Sequence, residues 1–169
     1  MVRRVIKEIF TTFIPALLIA FVINVYIAEA ALVEDGPSMQ PNLFRGDRVM
    51  MEKISYRLHG PTRGDIVVVD RPGDEIDLIK RVVGLPGDRL EVVDGHTFIN
   101  GMRIEEPWVV NFGGPDYPEI QIPDGHVFVL GDNRTSSFDS RAIGPVSQED
   151  LIGRVWIIYW PLEEFRLLR

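Results

Sequence analysis

By hydrophobic pattern the chain divides into one long apolar run followed by many short ones. From Ile9 to Ile27 the sequence reads IFTTFIPALLIAFVINVYI, without a charge. Roughly 20 such residues at about 1.5 Å each reach about 30 Å, the thickness of a bilayer core, so the run predicts a transmembrane helix over residues 9–27. Thr11, Thr12, Pro15 and Asn24 are tolerable in such a helix, and Tyr26 falls where an interfacial aromatic sits. Arg3, Arg4 and Lys7 precede the run, whereas Glu29, Glu34 and Asp35 follow it. The positive-inside bias then keeps residues 1–8 cytoplasmic and puts residues 28–169 on the far side. A cleavable signal peptide is the competing reading, because Ala28-Glu29-Ala30 has the small-x-small form of a cleavage site. The run is longer than the usual apolar segment of about 7–15 residues, which favours the retained anchor. Both readings carry the remaining domain across a membrane.

Beyond the run, apolar and β-branched stretches of strand length alternate with Gly, Pro and Asp, the pattern of a β-rich domain. The expected strands are Arg48–Lys53, Asp65–Asp70, Leu78–Val83, Arg89–Val93, Thr97–Asn100, Val127–Leu130 and Arg154–Trp160. Asp94-Gly95 and Asn100-Gly101 are hairpin signals, so Arg89 to Ile104 should fold as an antiparallel meander. No segment after the run has sustained helical periodicity. Gly-Asp recurs as Gly46-Asp47, Gly64-Asp65 and Gly87-Asp88, each time just before an apolar stretch. Two of these lie in Arg-Gly-Asp triplets, which read as strand-opening turns and not as adhesion sites. Residues 111–118, rich in Gly and Pro, read as a surface loop. Trp156, Tyr159 and Trp160 fit either membrane contact or an aromatic final strand packed into the core.

Composition narrows the function. A chain of 169 residues suits one domain, or one domain plus an anchor. The net charge of −7, with no dense basic cluster, argues against nucleic acid as a partner. With no cysteine, thiolate nucleophiles, disulfides and cysteine-bound metals are excluded. His59, His96 and His126 each adjoin a glycine and read as turn residues, so a Ser-His-Asp triad lacks its base. No metalloprotease, phosphate-loop or EF-hand pattern is present, and neither metal nor cofactor is expected.

Two residues then stand out. Ser38 lies between Pro37 and Pro41, with Gly36 two residues before it, in a stiffened turn that holds a hydroxyl at a fixed angle. Lys80 lies in Leu78-Ile79-Lys80-Arg81-Val82-Val83, where alternation sets it on the face of Leu78 and Val82. A lysine there either snorkels to water or is buried, and burial disfavours its charged form. A neutral amine can take the proton of a serine hydroxyl, the logic of a Ser-Lys dyad. The polar loop from Gly131 to Arg141 follows an apolar strand. Folded back over such a dyad, it would bring a hydroxyl to orient the amine, with Asp-Arg pairs holding its shape. Asn133-Arg134-Thr135 also matches the glycosylation triplet, a pattern too common to weigh.

These stretches, in this order after an apolar run, resemble type I signal peptidases, the leader peptidase family of membrane-bound Ser-Lys proteases. Ser38-Met39-Gln40-Pro41 is similar to the family's S-M-x-P box, and Arg63-Gly64-Asp65 to its R-G-D strand. Lys80 to Asp88 resembles its K-R-V-x-G-x-P-G-D box, and Gly131 to Arg141 its G-D-N-R-x-x-S-x-D-S-R box. The resemblance implies a mainly β, antiparallel-sheet catalytic domain preceded by one N-terminal transmembrane helix. It implies Ser38 as nucleophile, Lys80 as general base and Ser137 as the hydroxyl that orients the lysine. Asp132, Arg134, Asp139 and Arg141 would be structural, and Gly36, Met39, Leu43, Leu78 and Ile79 would bind substrate. The implied partners are preprotein signal peptides, cut after small-x-small motifs, and membrane lipid. One departure stands at Gly36, where some members carry a hydroxyl that assists the oxyanion hole; the Ser38 backbone N–H then serves with other help. A self-cleaving repressor-type Ser-Lys peptidase fits less well, since there is no Ala-Gly bond to cut and no room for a DNA-binding domain. A secreted β-rich binding module, released after Ala30, is the alternative of another class.

Overall fold

The computed structural model describes residues 7–34, 36–71 and 76–168, so Arg3, Arg4 and Asp35 of the charge-bias argument lie outside the described residues. The apolar run does not form the single helix expected over residues 9–27. Ile9–Phe13 is a π-helical stretch, and α1 (Ile14–Tyr26) follows it. The Ile14 N–H reaches back five residues to the Ile9 carbonyl. Pro15 explains the widening: it has no N–H to offer the Thr11 carbonyl and its ring crowds that oxygen, so the ladder before it slips to the longer spacing. Thr11 Oγ1 donates to the Lys7 carbonyl at 2.8 Å, a local bond of the kind that bends helices. As a result α1 has 13 residues, about 20 Å at the α-helical rise. Among the described residues no helix is long and apolar enough to cross a membrane.

One residue after α1, the chain enters β1 (Ala28–Leu32), which pairs antiparallel with β2 (Arg48–Glu52) from Ala28↔Glu52 to Leu32↔Arg48. Ala28-Glu29-Ala30 is therefore part of a paired strand, which counts against its use as a signal-peptide cleavage site. The remaining strands are β3 (Ile66–Val69), β4 (Leu78–Gly84), β5 (Arg89–Val93), β6 (His96–Ile99), β7 (Met102–Arg103), β8 (Tyr117–Gln121), β9 (His126–Leu130), β10 (Val146–Ser147), β11 (Leu151–Trp160) and β12 (Arg166–Leu167). They form two antiparallel sheets among the described residues, a larger one of order β1-β2-β11-β3-β4-β9-β10 with β12 on β11, and a smaller one of order β7-β6-β5-β8. Short helices α2 (Ser55–Leu58) and α3 (Ser140–Ile143) sit at the ends of strands.

Turn chemistry sets the register. Asp94 and Gly95 have φ of 49° and 77°, and Asn100 and Gly101 have 54° and 79°, so both expected hairpin turns form and β5, β6 and β7 make the expected meander. The three Gly-Asp pairs share one design. In each, the glycine takes positive φ and the aspartate carboxylate accepts the backbone N–H three residues earlier: Asp47 from Phe44, Asp65 from Thr62 and Asp88 from Leu85, at 2.7–2.8 Å. The aspartate N–H also bonds the carbonyl of that same earlier residue, closing a turn whose third position needs glycine. Arg63 of one Arg-Gly-Asp triplet is held inside the fold, paired with Asp88 at 2.9 Å.

β4 is buried along its whole length and joins three apolar clusters. Ile79 packs with Met51, Val68 and Met39; Leu78 and Val82 pack with Val67 and Val129; Val83 packs with Leu90 and Phe128 between the two sheets. The third cluster leaves no room beside Gly84, where an added Cβ would meet Ile122 Cδ1 at 2.3 Å and Leu90 Cδ1 at 2.7 Å. β11 is bulged where it pairs with β2 and with β3, which bends a ten-residue strand and curls the larger sheet. Trp156 and Trp160 stand on its exposed face and Tyr159 is half-buried, so the two tryptophans do not serve as core.

Candidate active site

Ser38 sits in a single 3-10 turn, Pro37–Met39, with Pro37 at its first position, where the missing N–H costs nothing. The next turn is closed by the N–H groups of Asn42 and Leu43, which both bond the Met39 carbonyl at 2.9 Å. Met39 and Leu43 point into the core, packed with Val49 and Ile158. Ser38 is thereby pinned from behind, with only 4% of its surface exposed.

Lys80 is fully buried at 0% exposure on β4, an interior strand of the larger sheet. Its Nζ donates to Ser38 Oγ at 3.1 Å and to the Ile79 carbonyl at 2.9 Å. The two residues chosen from the sequence, 42 positions apart, meet at hydrogen-bond distance. Geometrically, that arrangement allows an amine to take a hydroxyl proton.

The loop after β9 closes over this pair. Asn133 N–H donates to the Ser38 carbonyl at 2.9 Å. A Cβ built on Gly131 would lie 2.2 Å from Ser137 Oγ and 2.6 Å from the Ser38 carbonyl oxygen, so only glycine lets Ser137 and the serine turn come this close. Ser137 Oγ is buried and has no hydrogen-bond partner among the described residues; the structure brings it to the site without a bond to Lys80. A buried hydroxyl left unmatched costs free energy.

Three buried ion pairs hold the loop. Arg81 grips Asp132 through Nε to Oδ1 at 2.8 Å and Nη2 to Oδ2 at 2.7 Å, while its guanidinium lies 4.7 Å from the Trp108 ring centroid. Asn42 Nδ2 donates to Asp132 Oδ2 and to the Trp108 carbonyl, each at 2.8 Å, and so ties the serine turn to the same carboxylate. Arg134 pairs with Glu106 through both terminal nitrogens and donates to the carbonyls of Gly95 and Gly131, which fastens the smaller sheet to the loop. Asp139 takes two bonds from the Arg141 guanidinium, both at 2.9 Å, a third from the Arg141 backbone N–H at 3.2 Å and a fourth from the Gly131 N–H at 3.0 Å. Asp132, Arg134, Asp139 and Arg141 thus all have the kind of contacts expected of structural residues. Asn42, Arg81, Glu106 and Trp108 were not singled out from the sequence. Arg81 alone carried a signal, its place beside Lys80 in a strand with no room for an unpaired charge.

Of the residues expected to bind substrate, Gly36 is exposed and Ile79 lines a groove, with Glu29, Ala31 and Asp77 among its other walls. Met39, Leu43 and Leu78 are packed inside apolar clusters. Among the described residues no group of His, Cys, Asp and Glu has the arrangement of a metal site.

Residues 6–160 match the profile of a family described as signal peptidase, peptidase S26. The chain is 38% identical over 168 residues to a probable signal peptidase I-2 of Synechocystis, covering 95% of this chain and 76% of that protein. It is 33% identical over 165 residues to a signal peptidase I of Bacillus licheniformis, covering 90% and 88%. A crystal structure of a signal peptidase I from Enterococcus faecalis matches with 32% identity and a TM-score of 0.46, over 56% of this chain and 95% of that one.

Proposed function

The chain belongs to the signal peptidase family, peptidase S26, and from that premise we propose that it is a serine endopeptidase that removes signal peptides from preproteins with a Ser38–Lys80 dyad. The observation that carries the reading is the 3.1 Å contact between Lys80 Nζ and Ser38 Oγ inside the protein. Full burial disfavours the lysine ammonium, so the amine is available as a base. Ser38 Oγ attacks the scissile carbonyl while Lys80 Nζ takes its proton. The oxyanion is received by the Ser38 backbone N–H, since position 36 offers no side chain. The lysine then returns the proton to the departing amine, leaving an acyl-enzyme. Water, deprotonated by the same amine, releases the signal peptide.

The same reading beds the apolar helical run in the lipid. It is supported by the exposure of its side chains: Phe10, Phe13, Leu17, Leu18 and Phe21 are all more than 60% exposed. Such a surface needs an apolar environment. The small residues Ala30 and Ala31 beside the groove, and its apolar floor, suit a substrate strand with alanine-like side chains. The test is cleavage of a preprotein by the detergent-solubilised full chain, with Ser38→Ala as control. Cleavage after a small-x-small site that disappears in the variant supports the reading. Equal cleavage by both proteins would sink it.

A further inference from the structure

The curled sheet brings two distant strands to either side of one groove. Among the described residues β1 is the end strand of the larger sheet, paired on one edge only, and β4 lies four places along the same sheet. Yet Ala30 and Ala31 of β1 and the segment leading into β4 wall a single cavity of about 280 Å³. Met51, Val68 and Ile79 line it from the strands between and opposite, and all three belong to the apolar cluster that contains Met39, the neighbour of Ser38. A peptide added to the open edge of β1 would run along this groove toward the dyad.

Charge on the walls is one-sided. Glu29, Glu34 and Asp77 line the groove, and no lysine or arginine is among its described lining residues. Glu29 is matched by Lys53 at 2.5 Å. Glu34 and Asp77 are exposed. The Asp77 carboxyl is raised above its ordinary range, first by partial desolvation and then by Asp70 and Glu29, so its surroundings are already negative.

Resting on the peptidase reading, we propose that this groove selects its peptide by charge: it favours lysine or arginine and rejects aspartate or glutamate at the positions that alternate with the small anchoring residues. In an extended strand, alternate side chains point in opposite directions. Where the two small residues of small-x-small face the apolar floor, the middle residue and the one before the first small residue face away from it, to the exposed rim of the groove to which Glu34 and Asp77 contribute.

The experiment compares peptides that differ only at those two positions, carrying Lys, Gln or Glu, with the full chain in detergent. The expected order of kcat/KM is Lys, then Gln, then Glu, with about three- to tenfold between the extremes at low salt. The spread should narrow at about 0.5 M salt, where exposed charges are screened, and should shrink in Glu34→Gln and Asp77→Asn. Equal Ser38-dependent cleavage of all peptides overturns the charge selection and leaves the peptidase reading standing. A spread that survives both variants also overturns it, because other groups would then be responsible. Failure to cleave any peptide overturns both. Should a variant not fold, the salt response of the unsubstituted chain decides.

Discussion

On one face of β4, Lys80 Nζ meets a serine hydroxyl at 3.1 Å and a main-chain carbonyl at 2.9 Å; on the other, Arg81 closes on both oxygens of Asp132. The two cationic residues are adjacent, buried to almost the same degree, and treated in opposite ways. Arginine stays charged at any working pH, and its planar fork fits a carboxylate, so it can sit inside a protein as a fixed strut. Lysine changes its charge when desolvated, so a buried lysine within reach of a serine hydroxyl is suited to exchanging protons. The contrast extends to the whole loop over the site. Arg134 and Arg141 repeat the arrangement of Arg81, each matched to its own carboxylate, and together they fix the surroundings in which Lys80 and Ser38 meet.

The strongest way to break this contrast is to give Lys80 the chemistry of its neighbour. Lys80→Arg keeps the charge and removes the accessible neutral form, so turnover should fall by about 10³-fold or more. Substantial activity in a steady-state assay would mean that another group is the base. The converse change removes the carboxylate that Arg81 grips. Asp132→Ala should cost about 3–5 kcal/mol in urea unfolding, because it breaks a buried two-bond ion pair and the Asn42 bond to the same carboxylate; an unchanged midpoint would show that the strut is dispensable. A smaller effect is expected at Ser137. If its hydroxyl orients the amine, Ser137→Ala should lower kcat about tenfold and leave KM nearly unchanged. A silent substitution would leave Ser137 as packing only.

The pH profile sharpens the same comparison without a mutation. With a buried lysine as base, kcat/KM should rise with pH as the amine loses its proton, with a midpoint below the ordinary lysine value of about 10.4. A profile governed by a group near pH 4 would point to a carboxylate. The smallest effect should come from chelation. EDTA should leave the rate unchanged, and a loss restored by a divalent ion would reassign the chemistry.

Ser38 and Lys80 were legible because each breaks a local rule, a hydroxyl locked between prolines and a lysine on an apolar strand face. The Gly-Asp turns and both hairpins were legible because turn chemistry is local too. Glu106, Asn42 and Trp108 were not. Their partners lie 28, 90 and 27 residues away along the chain, at Arg134, Asp132 and Arg81, and no short-range period marks such pairings. β8 overlaps the segment that reads as loop, because Tyr117-Pro118-Glu119 offers little apolar alternation, and it forms against β5 at the sheet edge. The π-helical stretch before Ile14 follows from Pro15, but the sequence alone does not say that the ladder widens there instead of kinking.

The junction between helix and sheet has a mechanical consequence. Only Ile27 separates α1 from β1, and its carbonyl is held by the Lys53 N–H at 2.9 Å. A link this short and this firmly fastened acts as a lever and not as a tether. If the groove takes a peptide as proposed, the medium that takes up the exposed side chains of α1 would set the height and tilt of the β1 edge, and the helix would double as a ruler for where that strand is met.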